Sequence, residues 1–208
     1  MEIHLQKLDG HWTDGYALDF HTTSSKPTEK KTIKKIVDGK EIEKEVQLYE
    51  TTRPEIAEHL FQLKYRSDRN HIEPIAKEAT KFLSTKTQWD LHKIIPIPPS
   101  DDKRKFQPVY ELAQAIGKLC NIEVDYKTLV KLKPTSELKE IEDPDKRREI
   151  LKDAFGIVSN SLNGKNVLLF DDLYRSGETL NAVCDIIKNK GNAKNIYVLT
   201  ITKTRSKR

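Results

Sequence analysis

Val167-Leu168-Leu169-Phe170-Asp171-Asp172-Leu173-Tyr174-Arg175-Ser176-Gly177-Glu178-Thr179-Leu180 is the stretch that decides how the rest of the chain is read. It opens on an unbroken apolar run, the pattern of a strand buried on both faces. Two carboxylates, Asp171 and Asp172, stand at the end of that run, and a short polar turn with one glycine follows. Leu180, Val183, Cys184, Ile186 and Ile187 then recur at helical spacing. Strand, acidic pair, small-residue loop and helix in this order predict a parallel α/β sheet whose ligands bind beyond the carboxyl ends of its strands.

The loop suits a phosphorylated sugar. Backbone N–H groups at a helix start, together with the helix dipole, favour an anion. Gly177 lets the backbone come close to a phosphate, and Ser176 and Thr179 add hydroxyl donors. Carboxylates repel a phosphate, so Asp171 and Asp172 are expected to accept hydrogen bonds from a ribose diol or to stand near a magnesium ion. Adjacent strand residues point to opposite faces, so both can serve one ligand only if the strand has bent into the loop by Asp172. Glu178 is expected to turn its carboxylate outward. The stretch has no Gly-Lys-Ser/Thr ending and is not a Walker A loop.

An apolar strand, Asp-Asp, three variable residues and Ser-Gly-x-Thr together resemble the phosphoribosyl-pyrophosphate (PRPP) loop of the type I phosphoribosyltransferases. The resemblance implies a PRPP- and magnesium-dependent enzyme that transfers a phosphoribosyl group to, or from, a nitrogenous base or nucleotide and releases pyrophosphate. Asp171 and Asp172 would be the catalytic pair and would assist the Mg2+ indirectly. Arg175, Ser176, Gly177, Glu178 and Thr179 would hold the 5-phosphate. In this family the loop after the first core strand grips the pyrophosphate. Here Ile94-Ile95-Pro96-Ile97 is that strand, and Ser100, Lys103, Arg104 and Lys105 supply the loop. The charged excursion over 133–153, with Lys146, Arg147 and Arg148, sits where the family keeps a flexible loop that closes over substrates. Leu63-Lys64-Tyr65-Arg66, the Ile95-Pro96-Ile97-Pro98 strand with its basic loop, and Arg147-Arg148 to Ala154-Phe155-Gly156 follow the order of the competence-protein-F-like branch over roughly residues 52–203. That branch commonly carries an N-terminal cysteine zinc ribbon, and residues 1–50 contain no cysteine.

The rest of the chain sets bounds. Its 208 residues are enough for one domain with an appendage, which we place at 1–50, followed by an α/β domain over 51–208. Charged residues make up 33% and hydrophobic ones 36%, so the surface is very polar, but the apolar residues are clustered well enough for a core. The net charge of +5 suits a polyanionic small molecule as well as nucleic acid, which stays open as a partner, as does a homodimer. No apolar run can span a membrane and no signal peptide is legible, so the expected location is cytoplasmic, away from membranes. Cys120 and Cys184 have neither zinc nor disulfide spacing and read as buried thiols.

Trp12, Tyr16, Leu18 and Phe20 at even spacing predict strands around a turn centred on Gly15. The lysine-rich residues 26–47, with a turn signal at Val37-Asp38-Gly39-Lys40, fit a hairpin or a mobile insertion. Their lysines read as a solvated face more readily than as a nucleic-acid patch. Helices are expected from Pro54 to Arg66, from about 73 to 83 and from about 107 to 119. The last of these has Val109, Leu112, Ala113, Ile116 and Leu119 inward, and Asp143-Pro144 opens a further helix to about 153. His59 and His71 each lack a clustered partner in the sequence and read as surface or capping residues. The expected architecture is a mainly parallel sheet with helices on both faces and an N-terminal β-rich hood. Two rivals use the same fold: a non-enzymatic PRPP or nucleotide sensor, regulatory or nucleic-acid-associated, and an interaction module or defence effector.

Overall fold

The structure, a computed structural model, describes residues 1–37, 40–99, 106–133, 143, 150, 151 and 153–205. Its strands are β1 (Gln6–Lys7), β2 (Asp14–Phe20), β3 (Ser24–Val37), β4 (Lys40–Thr52), β5 (Lys93–Pro96), β6 (Glu123–Val124), β7 (Leu129–Lys131), β8 (Phe155–Ile157), β9 (Asn166–Tyr174) and β10 (Asn195–Lys203). The helices are α1 (Glu55–Arg66), α2 (Ile72–Ser84), α3 (Pro108–Cys120) and α4, which spans Glu178–Asn189. Six strands form the central sheet in the order β1-β2-β10-β9-β5-β6. All neighbours in it are parallel except the edge strand β1, which runs antiparallel to β2.

The sheet is covered on both faces, and the two-residue period of its strands divides the core. In β9, Leu168 and Phe170 pack with α1, α2 and α3, while Val167 and Leu169 pack with α4. β10 alternates in the same sense: Tyr197, Leu199 and Ile201 on the three-helix side, Ile196 and Val198 on the other. Each helix presents the face its spacing predicts. Ile56, Ala57, Leu60 and Leu63 of α1 are buried, as are Ile75, Ala76, Ala79, Phe82 and Leu83 of α2. Fully burying one such side chain stabilises the fold by roughly 1.5–3 kcal/mol. Leu119 departs from the expected stripe. It lies in the last turn of α3 and is exposed.

The N-terminal fifty residues divide between two structures. β1 and β2 belong to the central sheet, while β3 and β4 form a separate two-stranded ribbon with Val37 paired to Lys40. The hairpin reading of 26–47 therefore holds for the described residues. Gly15 is not a turn residue. It lies within β2, where a Cβ would meet the Trp12 indole nitrogen at 2.5 Å, so the strand passes under the indole only because the side chain is missing. β7 and β8 pair with each other as a second small sheet outside the main one. The helix expected over 143–153 falls mostly outside the described residues, as does the turn at 38–39.

Candidate functional site

The strand order creates one topological switch point. From β5 the chain crosses through α3 to β6 on one side of β9. From β9 it crosses through α4 to β10 on the other side, with α3 and α4 on opposite faces. The carboxyl ends of β5 and β9 therefore diverge into a crevice, the position where open α/β sheets bind ligands. The Asp-Asp pair and the small-residue loop stand on its β9 rim. On the β5 rim the chain runs out through Ile97, whose N–H donates to the Phe170 carbonyl at 2.9 Å, and Pro99, whose carbonyl accepts from Lys131 Nζ at 3.2 Å. Ser100, Lys103, Arg104 and Lys105, expected on this rim, lie outside the described residues, as do Lys146, Arg147 and Arg148 of the expected flexible loop.

β9 does not bend at Asp172. It continues as a strand through both carboxylates to Tyr174, so the alternation places them on opposite faces. Asp172 goes to the side of Leu168 and Phe170, where its carboxylate meets the Lys64 ammonium of α1 at 2.8 Å. Both side chains are largely buried. Burial works against the charge on Lys64, but the Asp172 carboxylate, with Asp171 beyond it, outweighs burial and holds the ammonium pKa above its ordinary value. Among the described residues Asp171 has no such cation at contact distance. Burial, and next the Asp172 charge, push its pKa up to about 7, against the pull of the Asp172 N–H and of Lys64. That N–H donates to Asp171 Oδ1 at 2.8 Å. Two neighbouring residues of one type thus differ in state, with Asp172 in an ion pair and Asp171 poised to carry a proton near neutral pH.

The loop has the donors expected of it but a different reason for its glycine. Gly177 sits at φ +80° as the N-terminal cap of α4, and no side chain caps the helix there. The cap residue therefore brings no side-chain acceptor of its own to the first turn. Arg175 and Ser176 are exposed. A Cβ on Gly177 would meet the Tyr174 hydroxyl at 2.6 Å, so the glycine is required by the tyrosine ring folded over it as well as by its left-handed backbone. The ring is held in turn by Trp12, edge-on at 6.5 Å, and by Lys203, 5.5 Å above it.

Several polar neighbours of the acidic pair were not legible as site residues. Lys64 was visible as part of a landmark, without a role. Beyond β2, the His21 backbone N–H donates to the Lys203 carbonyl at 2.7 Å, and its ring Nδ1 lies 3.1 Å from the Thr202 hydroxyl. That hydroxyl in turn donates to the Asp172 carbonyl at 3.4 Å. Burial, then the charges of Lys64 and Arg53, hold the His21 pKa below its ordinary value; Asp172 opposes them and Arg175 adds to them. His59 and His71, expected to stand alone, are partners: their Nδ1 atoms are 2.6 Å apart, and His71 makes no cap on α2. The contact needs the turn at 67–71, which folds the chain back on α1.

Among the described residues no three His, Cys, Asp or Glu side chains gather as metal ligands, and the Lys64 ammonium already neutralises Asp172. With Asp172 held by Lys64, the acidic pair is suited to contact a divalent ion through water more than to ligate it directly. No described helix is long and apolar enough to cross a membrane.

A parallel sheet with this strand order, carrying a strand–Asp-Asp–loop–helix unit at its switch point, defines the type I phosphoribosyltransferase fold. The chain itself is similar in sequence to a competence protein. It is 26% identical over 152 residues to competence protein ComFC of Bacillus subtilis (strain 168), a match covering 71% of this chain and 59% of that protein. The chain thus spans less than two thirds of the relative's length. Comparison with known family profiles gives no match. Among solved structures, a hypoxanthine phosphoribosyltransferase from Staphylococcus aureus overlaps 66% of this chain and 65% of its own, with a TM-score of 0.41 and 16% identity. An adenine phosphoribosyltransferase from Leishmania tarentolae covers 96% and 94%, with a TM-score of 0.40 and 10% identity. Both overlaps are loose, and the fold assignment rests on strand order and the loop rather than on them.

Proposed function

We propose that the chain binds PRPP in the crevice beyond β5 and β9 and transfers its phosphoribosyl group to a nitrogenous base. The observation that carries this reading is the placement of the Asp171–Asp172 pair and the glycine-capped start of α4 at the switch point of the sheet. The 5-phosphate would take the N–H groups of 176–179, aided by the hydroxyls of Ser176 and Thr179 and the charge of Arg175. The carboxylates would receive the ribose hydroxyls, and the diphosphate with its magnesium would extend toward the loop after β5. In the transfer, a ring nitrogen lone pair forms the bond to the anomeric carbon. The bond from that carbon to the diphosphate oxygen breaks, and its electron pair leaves with pyrophosphate, which also takes any proton the nitrogen releases. The protein's work would be positioning and charge stabilisation.

One observation favours a second reading, a PRPP or nucleotide sensor without turnover. Asp172 is engaged by Lys64, and β9 sets Asp171 on the other face, so the pair does not present a joint surface to a diol. The similarity to a competence protein is compatible with either. Calorimetric titration with PRPP, with and without magnesium, followed by a screen of bases for pyrophosphate release, separates them. Magnesium-dependent binding with release supports the transferase, binding without release for any base supports the sensor, and absence of binding removes both.

A further inference from the structure

The β3–β4 ribbon stands outside both apolar cores, and neither takes a residue from it. Its register sorts side chains by chemistry. Paired residues share a face, and successive residues change face. Lys31 is opposite Val46 and Ile33 opposite Lys44, with Ile42 and Leu48 on the same alternation of β4. These six are aliphatic or cationic, and the first carboxylate on their face is Glu50, opposite Lys26 near the root. The other face holds Lys30, Thr32, Lys34, Glu43, Glu45 and Gln47. There the Lys30 ammonium meets the Glu45 carboxylate at 3.0 Å. Lys31 and Lys44 are exposed and make no ion pair among the described residues. Ile42 and Leu48 are exposed beside them. Toward the tip the register continues with Lys35 opposite Ile42 and Val37 opposite Lys40.

Lysines on either face protect a free ribbon from the addition of a further strand. That protection does not call for separating the charges, nor for leaving aliphatic side chains among unpaired ammonium groups. A face of this kind is complementary to a surface that offers anions and apolar matter together. A second copy laid against it face to face would set lysine against lysine. Nucleic acid is read with Arg, Asn, Gln and stacked aromatic rings, and none of these stands among the six. An anionic bilayer supplies both halves of the match. Its phosphates take the ammonium groups, its acyl boundary takes the aliphatic side chains, and the lysine stems lie along the apolar layer.

We propose that the ribbon is a peripheral membrane contact, which lays the face of Lys31, Ile33, Ile42, Lys44, Val46 and Leu48 on an anionic lipid surface. The face with the Lys30–Glu45 pair stays in water. Such a contact needs no spanning segment, so the lack of a membrane-crossing helix among the described residues does not bear on it. It is independent of whether the chain binds PRPP.

The test is flotation of the full chain with vesicles of phosphatidylcholine alone and of phosphatidylcholine with roughly one-third phosphatidylserine. The chain should bind the anionic vesicles about tenfold or more tightly than the neutral ones, and less as salt is raised. Two variants remove the same charge from opposite faces. Lys31→Gln with Lys44→Gln should lose most of the binding, and Lys30→Gln with Lys34→Gln should keep most of it. Ile42→Ser with Leu48→Ser, which leaves the charge unchanged, should also weaken it and gives a second reading of the face if the first variant does not fold. Melting curves check that each variant folds. No binding to anionic vesicles, equal binding to neutral ones, or equal losses from the two lysine pairs overturns the proposal. So does binding of a duplex or single-stranded oligonucleotide that depends on Lys31 and Lys44 while vesicles are ignored, which would make nucleic acid the partner of this face.

Discussion

Strand β9 and the β3–β4 ribbon are both extended structures, and they are opposites. β9 spans 9 residues and is paired on both edges and covered on both faces. The ribbon strands span 14 and 13 residues, pair only with each other, and leave Ile42, Leu48 and Tyr49 in solvent at 44%, 36% and 58% exposure. Hydrogen bonds are plentiful in both, so the difference lies in buried apolar area. An isolated two-stranded ribbon is marginally stable by itself, whereas a strand in the middle of a covered sheet belongs to the part that unfolds last.

The strongest way to break this contrast is to open the core at β9. Phe170→Ala should lower unfolding free energy by about 3–5 kcal/mol, read from urea titration. A loss under about 1 kcal/mol would place the stability elsewhere. Next in size is the pair at the end of the same strand. Lys64→Ala leaves Asp172 a largely buried carboxylate without its cation and should cost about 1–3 kcal/mol, reduced from the fully buried case by the solvent both groups still see. The double variant Lys64→Ala with Asp172→Ala should recover part of the loss, and additive losses instead would mean the ion pair does not form in solution.

A smaller effect appears with pH. Asp171 is raised from 3.8 to about 7 in the folded chain, so the folded state holds a proton that the unfolded state has already released. The contribution of this group to stability is therefore full below about pH 4 and is lost as pH rises toward 7. Asp171→Asn should flatten that decline in thermal scans across the window and melt no lower than the parent near neutrality. Asp172→Asn, which strands Lys64 instead, should melt lower. An unchanged pH profile in Asp171→Asn would show that another group sets it. The smallest effect belongs to the ribbon: Ile42→Ser should change stability by less than about 0.5 kcal/mol. A loss above about 1 kcal/mol would mean that this face is covered in the native protein.

Patterns that report burial were legible in the sequence. The apolar run of β9, Tyr16 and Leu18 of β2, and the helical stripes of α1 and α2 each reached the side they announced, because apolar periodicity and burial have one cause. The passage from strand to loop to helix around the acidic pair was legible from the apolar run before it and the helical spacing after it. The partners of those residues were not legible. Lys64, His21 and Arg53 come to the site from chain positions more than a hundred residues away from it, brought there by packing that no local pattern encodes. The His59–His71 contact was missed likewise, because a turn between two helices made it. Gly15 was read as a turn centre and lies within a strand, while Gly177 does use the backbone freedom expected of it, at φ +80°; at each, an aromatic side chain also occupies the space a Cβ would need.

The aromatic packing over the loop has an optical consequence. The chain has two tryptophans. Trp89 is sealed in the core and stacked on Tyr197 with ring centres 4.5 Å apart, so a blue-shifted emission that responds little to events at the loop is expected of it. Trp12 lies against Tyr174, which covers Gly177, and any rearrangement of that loop changes the surroundings of its indole. With Trp89 replaced by phenylalanine, the remaining fluorescence would come from a chromophore two contacts away from the loop glycine. The loop then carries its own reporter, with no dye attached.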